Sequence, residues 1–198
     1  MQRRYGRGRA LVRPRLIAII MIVLSLVVYI GQDRGWFSTS NDKLRTSQPG
    51  LYRVVHFDDG DTITVDMNGR TETIRFIGID TPEIHDRRKA VQCYGHEAAV
   101  FTRNMIGNSR VRLEADPLNT NRDRYNRLLR YVYLPDGTFV NAEIVRQGYA
   151  FAYTSFPMVH ADYMRELQAE AQREQRGLWS NCTPTPNEYG GYTSNDIQ

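Results

Sequence analysis

Cysteine and histidine are scarce: the 198-residue chain holds two cysteines and four histidines, and none fall at the paired spacings of a zinc site. No internal repeat recurs, which excludes a solenoid or propeller. Acidic residues are missing from the first fifteen positions, where Arg3, Arg4, Arg7, Arg9, Arg13 and Arg15 stand. Without those six, 20 Lys and Arg face 22 Asp and Glu. The net charge of +4 therefore belongs to the N-terminus, and bulk charge gives no reason for the remainder to attract nucleic acid. Long hydrophobic runs in series are also missing, so a multi-pass membrane protein is excluded. With 41% hydrophobic, 24% charged and 11% aromatic residues, the composition suits one globular domain with appendages, not a disordered or collagen-like chain.

One apolar run is present, over residues 16–30, interrupted by Ser25 and Tyr29 and closed by Gly31. It is short for a spanning helix and long for the core of a signal peptide. No small-x-small cleavage pattern follows it, and Trp36-Phe37 suits an interfacial aromatic pair. Both features favour a transmembrane anchor over residues 16–31, with a cleaved signal segment as the alternative. Either way the basic residues 1–15 stay cytoplasmic and the rest is exported. The expected location is thus membrane-anchored with an extracytoplasmic domain, or secreted if the segment is cleaved. Residues 32–50 are polar and read as a linker. Residues 183–198, with two Pro, two Gly and no Lys or Arg, read as a disordered tail. The folded domain is expected over 51–182.

Cys93 and Cys182 stand near the middle and the end of that domain. In an exported chain an even pair suggests a disulfide, with two buried thiols as the alternative. Residues 52–57, 62–67, 71–79, 111–115 and 128–134 alternate or run apolar as strands do, separated by Asp59-Gly60, Asn68-Gly69 and Pro135-Asp136-Gly137 turns. Helical spacing appears over 95–105, 142–146 and 161–176. The order predicts a small α+β domain, most simply a five-stranded, partly open barrel with three helices.

Carboxylates are unevenly placed. Asp58, Asp59 and Asp61 crowd one turn, while Asp80 and Glu83 follow the apolar strand that ends at Ile79. If the strand ends are neighbours, the cluster calls for a hard divalent cation bound by oxygen, Ca²⁺ or Mg²⁺. A plain Asp-Gly turn and a Pro-Glu helix start are the structural alternatives for the two groups. Arg75 lies among Ile, Phe and Ile, where a guanidinium is costly unless an anion or carboxylate meets it. Residues 122–127 mix three arginines with Tyr125, a combination suited to phosphate and base contacts. A solvated charged loop is the alternative there.

Taken together, Asp59-Gly60-Asp61-Thr62, Arg75, Asp80-Thr81-Pro82-Glu83, Tyr94-Gly95-x-Glu97-Ala98, Asp123-Arg124-Tyr125-Asn126-Arg127, Val140-Asn141, Val145-Arg146-Gln147-Gly148 and Gly177-Leu178-Trp179 resemble the staphylococcal nuclease-like, or thermonuclease, family. The motifs occur in the family's order over about 54–180. The resemblance implies an OB-fold barrel with three helices and a Ca²⁺-dependent phosphodiesterase acting on DNA and RNA. It implies Asp61 and Asp80 as carboxylate ligands of Ca²⁺, Thr81 as the backbone carbonyl ligand and Asp59 as an acid behind them. Glu83 is implied as general base, and Arg75 and Arg127 as phosphate-binding arginines. Arg124, Tyr125 and Tyr153 are implied as nucleotide contacts. Asn126 stands where the family commonly has Gly, and Ser155 and Phe156 where some members have Tyr and Lys. The chain is expected to act as a monomer, with no protein partner. The alternative is a catalytically weak OB-fold module that binds nucleic acid or an envelope partner.

Overall fold

Residues 50–84, 90–188 and 190–197 are described by the structure, a computed structural model. All of them belong to one compact unit, Thr46–Gln198. The basic segment 1–15, the apolar segment 16–31 and, Gly50 apart, the linker 32–50 lie outside the described residues. Among the described residues no helix is long and apolar enough to cross a membrane.

Period-two patterning builds the first three strands. Strands β1 (Leu51–Asp59), β2 (Thr62–Asp66) and β3 (Thr71–Phe76) form an antiparallel meander. Ile63, Val65, Ile74 and Phe76 are buried inside it, because alternate residues of a strand share one face. A two-residue strand β4 (Ile79–Asp80) follows a break at Ile77 and Gly78. Helix α1 (Gly95–Ile106) then leads into β5 (Arg110–Glu114) and β6 (Leu128–Tyr133). β6 pairs with β5 antiparallel and with β3 parallel, and β5 returns to β1 through Leu51↔Arg112, Tyr52↔Val111 and Arg53↔Arg110. The sheet is therefore a closed barrel in the order β1-β2-β3-β6-β5. The expected partial opening is replaced by full closure, since β1 begins early enough to reach β5. Closure also removes exposed strand edges.

Three helices cover the barrel. Thr102 of α1 donates its hydroxyl hydrogen bond to the Gly60 carbonyl at 2.6 Å, which ties the helix to the β1–β2 turn. Helix α2 (Val140–Arg146) carries Asn141, which is fully buried. Its Nδ2 donates to the Ile77 carbonyl at 2.9 Å and its Oδ1 accepts from the Val132 amide at 2.9 Å, satisfying backbone groups that the strand break leaves exposed. A short strand β7 (Phe151–Ala152) pairs with β4. Helix α3 (Ala161–Arg173) buries Met164, Leu167 and Ala171 on one stripe, and the one-turn helix α4 (Leu178–Asn181) follows.

The tail is a correction to the sequence reading. Its described residues, 183–188 and 190–197, hold the small hairpin β8 (Thr185–Pro186) and β9 (Tyr192–Thr193). Tyr192 lies against the rings of Phe151 and Trp179 at 6.0 and 5.1 Å between centroids, and Ser194 is buried. Polar composition did not prevent order here, because one aromatic ring and several backbone hydrogen bonds anchor the strap to the domain. Cys93 and Cys182 form a disulfide with Cα atoms 5.9 Å apart across 89 residues of sequence. Closing so long a loop restricts the unfolded chain. The double variant Cys93→Ser, Cys182→Ser is expected to lose about 2–4 kcal/mol of unfolding free energy in urea titration; an unchanged midpoint would show that the cross-link adds nothing.

Candidate active site

Alternation on β3 decides where Arg75 goes. Ile74 and Phe76 occupy the barrel interior, so Arg75 points from the opposite face. Register sets it beside Thr62 on β2 and Leu129 on β6. Asp61 precedes the one neighbour and Arg127 lies two residues before the other. The guanidinium Nη1 is 2.9 Å from Asp61 Oδ2, and Nη2 donates to Asp80 Oδ1 at 2.7 Å. Nη1 also donates to the Ile79 carbonyl at 2.8 Å. With its side chain only 15% exposed, the charge that was costly on sequence grounds is met by two carboxylates. Burial alone would lower the Arg75 pKa, but Asp61, Asp80, Asp59 and Asp123 reverse the effect and raise it, so the group stays cationic.

Gly60 lets the two carboxylate turns approach. A Cβ there would lie 2.8 Å from Thr81 Cγ2 and 3.1 Å from the Ala98 Cβ, closer than carbon atoms pack. Without one, Asp61 comes near enough for its Oδ2 to accept the Thr81 amide at 3.0 Å. Asp61 Oδ1 accepts from the Thr62 hydroxyl at 3.0 Å. The Thr81 hydroxyl itself is buried without a hydrogen-bond partner. Asp59 stands just behind, accepting the Gly60 amide at 2.7 Å. Burial first, and then the charges of Asp61 and Glu83, push the Asp59 carboxyl up to about 7. Negative charge around Asp59 therefore exceeds what Arg75 neutralises.

Glu83 follows Pro82 on the next turn. Its amide donates to Gln92 Oε1 at 2.8 Å and its carbonyl accepts the Gln92 amide at 2.9 Å. Its Oε1 accepts the Ile84 amide at 3.0 Å. Gly95 permits this packing, since a Cβ would meet Ile84 Cγ2 at 2.4 Å and the Pro82 carbonyl at 3.0 Å.

Asp123 organises the second arginine. Its Oδ1 accepts the amides of Tyr125 and Arg127, both at 2.9 Å, and its Oδ2 accepts Arg127 Nε at 2.7 Å. One carboxylate thus shapes the turn and aims the guanidinium. Asn126 adopts φ of 65°, the left-handed conformation for which Gly is usual and Asn is tolerated. Tyr125 is exposed, with the guanidiniums of Arg124 and Arg127 4.9 and 5.3 Å from its ring centre. The loop is braced from below by Arg130, which is fully buried and donates to the Asn121 carbonyl at 3.3 Å and Oδ1 at 2.6 Å. Burial and the charge of Arg122 lower the Arg130 pKa to about 10. Tyr153 enters through β7: its amide donates to the Gly78 carbonyl at 2.8 Å, and its ring packs on Phe156 at 5.8 Å.

The structure thus brings Asp61, Arg75, Asp80 and Thr81 into direct contact, with Asp59 and Glu83 around them. Arg124, Tyr125 and Arg127 form a second group on one loop. Cys93 and Cys182 lie outside both. Sequence reasoning passed over Asp123 as an organiser, Arg130 with Asn121 as a brace, and Gln92 as a partner of Glu83. Asp123 alone carried a signal, an Asx residue opening a turn.

The protein is thus a closed five-stranded barrel that holds Asp61, Arg75 and Asp80 in contact and carries Arg127 with Asp123 on the loop before β6. The family model for staphylococcal nuclease homologues matches residues 73–181. The thermonuclease of Staphylococcus hyicus is 34% identical over 167 residues, 84% of this chain and 96% of that protein. The thermonuclease of Staphylococcus intermedius is 38% identical over 165 residues, 83% of this chain and 94% of that protein. Endonuclease YncB of Bacillus subtilis (strain 168) is 36% identical over 124 residues, 62% of this chain and 58% of that protein. The chain belongs to the staphylococcal nuclease family and is a nuclease, a phosphodiester hydrolase.

Asp59 supplies a pH prediction. A carboxyl whose folded pKa exceeds its unfolded value weakens the fold as it ionises, so the penalty is absent below the ordinary 3.8 and complete above about 7. Asp59→Asn is therefore expected to stabilise the chelated protein by ~1–2 kcal/mol at pH 8 and to leave it unchanged near pH 4. Urea titrations at the two pH values check this, and equal shifts at both would refute it.

Proposed function

We propose that the protein is a Ca²⁺-dependent nuclease that hydrolyses phosphodiester bonds of DNA and RNA and leaves 3′-phosphate ends. The observation that carries the reading is Arg75 bridging Asp61 and Asp80, in register with Leu129 two residues past Arg127 and within reach of the charge of Asp123, the partner of Arg127. A phosphodiester is anionic and repels an incoming oxygen nucleophile, so positive charge must meet it as more negative charge develops.

The donor chemistry fits a hard cation. Asp61 and Asp80 share one guanidinium, the Thr81 amide touches Asp61, and the Thr81 hydroxyl is an orphaned buried oxygen. Among the described residues no three acidic, histidine or cysteine groups form a ready cage. Two carboxylates and the Thr81 carbonyl would hold the ion weakly, suiting millimolar calcium. When bound, it would offset charge on a non-bridging phosphate oxygen.

The chain's own residues do the remainder. Arg75 exchanges a carboxylate oxygen for a phosphate oxygen, and Arg127, aimed by Asp123, meets another. Glu83 accepts a proton from a water as that oxygen bonds to phosphorus. The bond from phosphorus to the 5′-oxygen breaks, and the leaving oxygen takes a proton from solvent. Arg124, Tyr125 and Tyr153 hold the nucleotide, with exposed Tyr125 offering a stacking face. Export through the arginine-flanked segment 16–31 completes the proposal, supported by the Cys93–Cys182 disulfide, a cross-link of oxidising compartments.

Cleavage of single-stranded DNA, double-stranded DNA and RNA by the full chain tests the reading. Activity is expected with millimolar Ca²⁺ and lost with chelator. Glu83→Gln and Arg127→Ala should each lower kcat on the order of a thousandfold, and near-normal turnover in either variant would overturn the assignment.

A further inference from the structure

We infer that Gln92 is a positioning residue for Glu83, held in register by the Cys93–Cys182 disulfide and the C-terminal strap. This rests on the reading of Glu83 as the general base. The Glu83 main chain is gripped on both sides by one residue, through the Glu83 amide to Gln92 Oε1 at 2.8 Å and the Gln92 amide to the Glu83 carbonyl at 2.9 Å. Gln92 is itself only 9% exposed. A buried amide side chain with its oxygen on a backbone N–H has little freedom to exchange that partner for water.

What holds Gln92 comes from the other end of the chain. Gln92 bridges to Asp196, the Cys93 amide donates to the Asn195 carbonyl at 2.7 Å, and the Ile197 amide donates to the Val91 carbonyl at 2.8 Å. The buried Ser194 hydroxyl donates to the Cys93 carbonyl at 2.9 Å. The disulfide then fastens Cys93 to the end of α4. Next to it Tyr94 adopts φ of 72° and lies 5.3 Å from Tyr149, ring to ring. A tyrosine in left-handed backbone is strained and persists only where its surroundings impose it. These contacts together hold residues 91–95, the segment that grips Glu83. A base that must meet a water within a few tenths of an ångström benefits from such support.

The test uses the full chain, single-stranded DNA and millimolar Ca²⁺, with Glu83→Gln alongside. Gln92→Ala, and the closer-fitting Gln92→Asn in case the first folds poorly, should lower kcat at least tenfold with KM within threefold of wild type. The Glu83 amide proton should exchange at least tenfold faster in Gln92→Asn, and Cys93→Ser with Cys182→Ser should lower kcat in the same direction with KM again held. Turnover within twofold of wild type in Gln92→Ala or Gln92→Asn, or an unchanged exchange rate of the Glu83 amide in Gln92→Asn, overturns the inference while an inactive Glu83→Gln leaves the base assignment standing. An active Glu83→Gln overturns both.

Discussion

One guanidinium, that of Arg75, sets the layout of the site. An arginine on a barrel strand must find anions close by or forfeit its hydration without return. Asp61 reaches it from the β1–β2 turn and Asp80 from β4. The break in the strand after Phe76 has the same cause, since it turns the Phe76 and Ile79 carbonyls onto Nη1 at 3.2 and 2.8 Å. Two turns far apart in sequence are thereby pinned within contact of one side chain. Removing Arg75 would leave the buried Asp61 carboxylate without its cation, which makes this ion pair structural.

The second arginine and the proposed base obey a related rule: each is held through its backbone by a neighbour's polar side chain. Asp123 takes two amides and a guanidinium nitrogen of its own loop. Gln92 takes the amide of Glu83 and returns its own. Arg130 fastens the Asn121 end of the arginine loop from inside the protein. The side chains of the proposed site are thus carried on main chain that cannot easily shift, which is how a loop attains the precision of a strand.

The C-terminal strap shows how composition misleads when read locally. A segment with two glycines, two prolines and little apolar area reads as disordered. Its order depends on partners that the segment itself does not contain: the Phe151 and Trp179 rings that receive Tyr192, and the Val91–Cys93 backbone that pairs with its end. The same limit hid the contact of Gln92 with Glu83, nine positions away, since a glutamine carries no signature of its partner in the sequence.

Local periodicity made the elements legible. The strand segments near 52–57, 62–67, 111–115 and 128–134 and the helices near 95–105, 142–146 and 161–176 all lie where alternation and 3.6-residue spacing put them, because burial of a strand face or helix stripe is written into neighbouring residues. The family motifs marked Asp61, Arg75, Asp80, Glu83 and Arg127 as candidates, and the structure brings Asp61, Arg75 and Asp80 into contact. Barrel closure, the strand break after Phe76, the grip of Asp123 and Gln92 and the folded strap were decided only in three dimensions. Their energy comes from hydrogen bonds and ring contacts between segments far apart in the chain. By itself the sequence determined where the strands and helices run and which family the chain belongs to, and tertiary structure decided how firmly the proposed site residues are held, because long-range contact geometry leaves no period in the residues that make it.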